Sequence, residues 1–216
     1  MIDWEKLHNS HQGEIGIIVC SGPSLKDTPL ELLKRYCSFG FNNIFVLQNF
    51  TPNYYVSINP LVIAQSRKRI EEIQCSAKFI KKGNGFVNDY EIVSQDCPEK
   101  FSLTPQISVH EGHTVTHVAL QLAYYIGFQV ILIVGCDHRF TFNGDPDRMN
   151  HMIGDDPNHF TPTYFKDQFW QNPNLEESAI SYAAAKKFYE LDYRIIINLT
   201  PNSALDVFEK GKMEDW

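Results

Sequence analysis

Residues 114–137, TVTHVALQLAYYIGFQVILIVGCD, switch pattern in a single step. Val115, Val118, Ala119, Leu122 and Ile126 recur at helical spacing, and a glycine stands close to the end of that stretch. This predicts an amphipathic helix over 114–128. The run that follows, QVILIVGCD, is apolar without alternation, which suits a strand only when both of its faces are buried. It therefore predicts a central strand of a parallel sheet. EIGIIVC, 14–20, makes the same demand and predicts a first strand.

The rest of the chain repeats the theme. SLKDTPLELLKRY carries Leu25, Leu30, Leu32 and Leu33 at roughly helical intervals, with Pro29 suited to a first turn. FNNIFVLQ and YYVSIN read as two further β-rich runs split by NFTPN; LVIAQSRKRIEEIQ reads as a helix and AKFIKK as a fourth strand. Residues 83–106, rich in Gly, Asn, Pro and Ser, read as a surface excursion. LEESAISYAAAKKFYELD is a last helix, RIIINLT a last strand, and PNSALDVFEKG a closing turn and tail. Alternating strands and helices predict an α/β, Rossmann-like doubly wound fold: a mostly parallel sheet with helices on both faces. At 216 residues the chain suits one domain, 1–216. Residues 138–173, aromatic and polar without period, read as a long lid-like insert, since loops of that length are usually functional. Phe160, Tyr164, Phe165, Phe169 and Trp170 in it suit a lid or a subunit contact in a homo-oligomer.

Composition excludes some classes. The net charge of -7, from 26 acidic and 19 basic residues, lacks the basic footprint of a nucleic-acid binder. RKR at 67–69, followed by IEEI, reads as a solvated helix face. Five cysteines without a CxxC pair read as reduced thiols of a cytoplasmic protein, most of them core filler. The start of the chain does not read as a signal peptide, and no apolar run is long enough to span a membrane.

In a doubly wound sheet ligands bind outside the carboxyl ends of the strands. SGPS (21–24), Asn59-Pro60, GCDHRF (135–140) and TPNS (200–203) fall at that edge. In the first, Gly22 permits close backbone approach and Ser24 suits either a phosphate or a plain helix cap. Asp137 has the position of a Mg ligand, a hydroxyl holder or a turn residue. Six of the eight histidines, at 110, 113, 117, 138, 151 and 159, crowd the second half. His113 and His117 have the spacing of a shared helix face, but without HExxH or a matched Cys no metal centre is expected. His159, in DDPNHFTPTYF, is the best placed general base. No GxSxG elbow supplies a hydrolase nucleophile.

SGPSL, FGFNNIF, YYVSINPL, GHTVTHVALQLAYYIGFQVILIVGCDH, NHF and TPNSALDVF follow the block order of a Rossmann-like superfamily over roughly 14–208. The chain thus resembles the archaeal 6-hydroxymethylpterin diphosphokinase MptE-like domain most closely, and also the flagellin motility-associated factors and the sialyltransferases of glycosyltransferase family 42. The likeness to the sialyltransferases implies a nucleotide site lined by Ser21, Gly22, Pro23, Ser24, Asn42 and Asn59, with Thr114, Gly135, Asn202 and Ser203 completing it. It implies His159 as the lid base, with Thr163 or Tyr164 as occupants of the strict position; Asp137, from its place just past the central strand, is a further catalytic candidate. Ser21 replaces that family's Asn, and Gly112 replaces its Arg. The resemblance implies a CMP-sugar-dependent glycosyltransferase of surface glycan or flagellin modification, acting by direct displacement on a glycan or small-molecule acceptor, with no tightly bound cofactor. The alternatives it carries are diphosphate transfer from ATP with Mg to a hydroxymethyl pterin, and a nucleotide-binding scaffold without catalysis.

Overall fold

A computed structural model describes residues 3–86 and 89–216. The chain runs α1 (Trp4–Leu7), β1 (Ile15–Val19), α2 (Leu30–Arg35), β2 (Cys37–Phe41), β3 (Tyr54–Ser57), α3 (Pro60–Glu72), β4 (Ala77–Lys81), β5 (Tyr90–Ile92), β6 (Ser94–Gln95) and β7 (Val109–His110). There follow α4 (Val115–Ile126), β8 (Val130–Val134), β9 (Met149–His151), β10 (Phe169–Gln171), α5 (Leu175–Leu191), β11 (Ile195–Asn198) and β12 (Glu209–Lys210). Eight strands form one sheet in the order β12-β11-β8-β1-β2-β3-β4-β5, and every pairing in it is parallel.

The continuous apolar runs explain this arrangement. Along β1 and β8 successive side chains alternate between faces. Ile18, Ile131 and Ile133 join the core under α1, α4 and α5, whereas Ile17, Val19, Leu132 and Val134 join the core under α2 and α3. Both faces are covered, as the doubly wound reading requires. The order reverses between β1 and β8, so the crevice for a ligand opens beyond the carboxyl ends of those two strands.

Several boundaries differ from the sequence reading. The stretch after the 21–24 turn is not one helix: a 3-10 helix, Pro23–Asp27, precedes α2, for which Pro29 is the N-cap. FNNIFVLQ is not a strand. Its IFV is a 3-10 turn, and the second strand is the earlier CSFGF, whose Ser38 and Gly40 offer little β signal. Residues 83–106 are less of a surface excursion than expected, because they supply the edge strand β5 and bury Phe86, Ile92 and Phe101. The closing tail adds β12 at the other edge. His113 and His117 share no helix face: His113 precedes the N-cap Thr114 with φ +55, and His117 is fully buried. Of the cysteines only Cys20 and Cys136 are buried. The basic run of α3 behaves as read, with Arg67–Glu71 and Lys68–Glu72 pairs along its solvent face.

Residues 138–173 do not hang free. β9 and β10 pair as an antiparallel hairpin, and Gln65 of α3 clamps Phe169 through two backbone hydrogen bonds of 2.9 Å each. Tyr164, Phe165 and Trp170 pack with Val62 of α3 into a small core of their own. The segment lies closed over the carboxyl edge of the sheet. Among the described residues no helix is long and apolar enough to cross a membrane.

Candidate functional site

A cavity of about 610 Å³ opens at the switch point, walled by the strand ends on one side and by the lid on the other. Ser21, Gly22, Asn42, Asn59, Thr114, Gly135, Asp137, His159 and Tyr164 line it. Pro23, Ser24, Asn202 and Ser203 do not. Asn202 is exposed, and the Ser203 hydroxyl donates to Cys136 O at 2.6 Å while accepting from Leu205 N and Asn198 Nδ2, so it ties β11 to β8 instead of facing the cavity.

The turn at 21–24 is shaped by its own protein. Gly22 N donates to Gly135 O at 2.8 Å. Ser24 donates to Asp137 Oδ2 twice, from its backbone N–H at 3.2 Å and from its hydroxyl at 2.8 Å. A Cβ on Gly22 would lie 2.1 Å from that same carboxylate oxygen and 2.6 Å from Gly135 O, so glycine is required by the Asp137 contact. The carboxylate of Asp137 therefore occupies the anion position that the turn offers. Ser24 faces Asp137, not the cavity, which corrects its expected phosphate contact.

Ser21 holds the lid. Tyr164 donates its hydroxyl to Ser21 Oγ at 2.9 Å and accepts from Asn43 N at 3.2 Å, while Phe160 N donates to Ser21 O at 3.0 Å. Asn43 Nδ2 donates to Tyr164 O, and its Oδ1 accepts from Ser66. Tyr164 is 2% exposed, and burial raises its phenol well above the usual tyrosine range. In this closed arrangement it is a neutral pin between lid and sheet.

His159 sits over that pin. Its Nδ1 donates to Asp156 Oδ2 at 2.7 Å, its side chain is 11% exposed, and the Asp156 side chain is fully buried. Asp156 is itself fixed, because Phe165 N donates to Oδ2 and Asn158 N to Oδ1. A carboxylate that accepts from Nδ1 leaves Nε2 unprotonated in the neutral ring and ready to take a proton. Among the described residues Nε2 makes no hydrogen bond, and His159 lines the cavity. Asp156 escaped sequence reasoning. The signal for it is the i to i+3 spacing in DDPNH, inside a loop whose folding brings the two side chains together.

The other walls carry helix starts. Asn59 Oδ1 accepts from Leu61 N at 2.9 Å, capping α3, and its Nδ2 reaches Gln171 of the lid at 3.4 Å. Thr114 Oγ1 accepts from Thr116 N at 3.3 Å, capping α4, and meets the Tyr182 hydroxyl at 3.2 Å. Asn42, at φ +51, has a buried side-chain oxygen with no hydrogen-bond partner, which suits a ligand donor. His113 stands between Asp96 and Asp147, at 3.4 and 3.3 Å. His138 is held towards its neutral form by burial and then by Lys210. Gly112, at φ +57, would place a Cβ 2.5 Å from Ser181 Cβ, so no arginine fits there.

The residues do not suit a protein-built Mg site at Asp137, whose Oδ2 is taken up by Ser24. Among the described residues no group of three His, Cys, Asp or Glu side chains gathers within metal-ligating range.

Comparison with known proteins agrees with this architecture. No curated protein matches the chain in sequence. The structure titled MAf glycosyltransferase from Magnetospirillum magneticum AMB-1 is similar with a TM-score of 0.58 at 14% identity, over 97% of this chain and 35% of that one. The chain thus spans about a third of that structure's length, and the likeness is one of fold. The family model described as 6-hydroxymethylpterin diphosphokinase MptE-like matches residues 2–143, which take in the strand ends around the cavity but stop short of the Asp156–His159 pair. With more than half of the sequence matched, the chain belongs to the 6-hydroxymethylpterin diphosphokinase MptE-like family.

Proposed function

We propose that the chain is a transferase in which His159 takes the proton from an acceptor hydroxyl while a nucleotide-linked donor occupies the cavity under the lid. The observation that carries this reading is the Asp156–His159 pair, a buried carboxylate 2.7 Å from an imidazole whose other nitrogen is free beside the cavity. Asp156 fixes the tautomer, and burial of the pair excludes water from the proton path. Direct displacement then needs the acceptor oxygen near Nε2 and the donor's departing phosphate on the far side of the reacting carbon or phosphorus.

A nucleotide sugar is the donor this reading prefers, with CMP as its nucleotide. Asn42 offers an unpartnered acceptor to a base or ribose, and the MAf structure that shares the fold bears the name of a glycosyltransferase. A glycan or small molecule would be the acceptor. The family's name favours a second reading, transfer of diphosphate from ATP to a hydroxymethyl pterin with release of AMP. His159 would serve it equally, because that acceptor too presents a hydroxyl. Mg would accompany ATP, held by the nucleotide's own phosphates.

The test is chromatographic. CMP release from CMP-sugars, and AMP release from ATP with 6-hydroxymethylpterin, are followed for the parent chain and His159→Ala. Release of CMP that falls by at least about a hundredfold in His159→Ala is expected. AMP release with the same dependence would move the donor to the second reading. Nucleotide binding without turnover would leave a scaffold, and turnover indifferent to His159→Ala would remove the base.

A further inference from the structure

We infer that Arg139, two residues beyond the carboxyl end of the β8 loop's Asp137, is the residue that holds the phosphate of an anionic donor. This rests on the transferase reading for its ligand class, a nucleotide, but not on the identity of the base. Most donors of the turn at 21–24 are taken, since Gly22 N bonds Gly135 O, Ser24 N bonds Asp137 and Leu25 N bonds Gly22 O, which leaves the N–H of Ser21. Asp137 also brings a negative charge to the place where a cradled phosphate would lie. The helix starts are satisfied in part. Pro60 has no N–H, Leu61 N is capped by Asn59, Thr116 N by the Thr114 side chain, and His117 N by Thr114 O. The N–H groups of Val62, Val115 and Leu175 remain at those starts, but they are neutral donors, and a phosphate's charge calls for a cation beside them.

Arg139 is left. It is the one Lys or Arg among the described residues lining the cavity. The carboxylates that line the cavity are engaged elsewhere: Asp137 with Ser24, Asp147 with His113 and Asn174, Asp96 with His113, and Glu111 with Lys81. Its own guanidinium has no ion pair or hydrogen bond among the described residues. His138, immediately before it, adopts φ +54, a left-handed turn in the loop that follows β8. Phe140, the next residue, lies edge-on to the His159 ring with centroids 6.3 Å apart. The same loop thus links the guanidinium to the base. An arginine there meets a phosphate with two parallel N–H donors, and it opposes the charge that grows on a departing phosphate.

The experiment compares nucleotide with nucleoside. Affinities of CMP and cytidine, and of ATP and adenosine, are measured by calorimetry for the parent chain, Arg139→Gln and Arg139→Lys. The expected result is that at least one nucleotide binds the parent more tightly than its nucleoside. Arg139→Gln reduces that advantage by about tenfold to a hundredfold while nucleoside affinity stays, and Arg139→Lys retains part of it. Arg139 is exposed, so the variants should keep the parent's melting temperature. The inference is overturned if Arg139→Gln keeps the nucleotide's advantage, or if the parent prefers no nucleotide over its nucleoside. Because turnover is not read, failure of the His159 base and failure of this phosphate site are distinguishable.

Discussion

The imidazole of His159 lies flat on the phenol of Tyr164, with centroids 4.0 Å apart and planes 3° apart. The ring that Asp156 orients is thereby stacked on the residue that fastens the lid to Ser21 and Asn43. Position of the candidate base and closure of the lid are one mechanical unit. Anything that lifts Tyr164 also removes the platform under His159.

Replacing Tyr164 by Phe separates the two roles. The ring and its stack remain, but Ser21 Oγ and Asn43 N lose a buried partner. Unmet buried polar groups cost about 1–3 kcal/mol. The expected outcome is a lower denaturant midpoint together with faster protease cleavage inside 138–173. If cleavage there is as slow as in the parent, the hydroxyl is not what holds the lid.

Replacing Asp156 by Asn tests the pair itself. An amide cannot accept from His159 Nδ1, Phe165 N and Asn158 N as the carboxylate does. The tautomer of His159 is then no longer fixed with Nε2 free. On the transferase reading turnover drops by about 10²–10⁴, in line with the loss of a positioned base, while nucleotide affinity changes little. Equal losses in affinity and turnover would assign Asp156 to lid packing alone.

What the sequence revealed and what it hid divide along a physical line. β1, β8, α4 and α5 were legible because a doubly buried strand or an amphipathic helix writes its surroundings into its own period. β2 was not: CSFGF owes its place to neighbours on both sides and to Asn53, which accepts from Ser38 N at 2.9 Å. At the site, Ser21, Gly22 and Asp137 could be placed at the strand ends, since the turn follows from the strand. Their partners could not, because Ser24 meets Asp137 across 113 residues and Tyr164 meets Ser21 across 143. A spacing rule reads neighbours along the chain, so it offered Gly22 to a phosphate when the fold gives it to a carboxylate.

That reassignment predicts the effect of Gly22→Ala. A methyl group would stand 2.1 Å from Asp137 Oδ2 and 2.6 Å from Gly135 O. Overpacking against backbone and a fixed carboxylate should cost about 1–3 kcal/mol with no ligand present, visible as a lower melting temperature. Adding Asp137→Ala should recover part of the loss, because it removes one of the two obstructing oxygens. A Gly22→Ala chain that melts like the parent but fails to bind nucleotide would return the glycine to the ligand.

The pH dependence of stability should carry the mark of His117. Burial lowers its pKa from 6.5 to about 4, outweighing the hydrogen bond to Lys100 O, and His110 nearby lowers it further. A folded-state value below the unfolded one means that the unfolded chain binds more protons between pH 4 and 6.5, so stability rises with pH across that window. It is fully present above about 6.5 and is lost as pH falls towards 4. A shift of this size corresponds to about 3 kcal/mol. His110 and His138, both held towards neutrality by burial, act in the same direction. Urea midpoints measured from pH 7 to 4 should therefore fall steadily, and in His117→Gln the fall should be shallower, because the amide can still donate to Lys100 O without taking up a proton. An equally steep fall in His117→Gln would place the titrating group elsewhere.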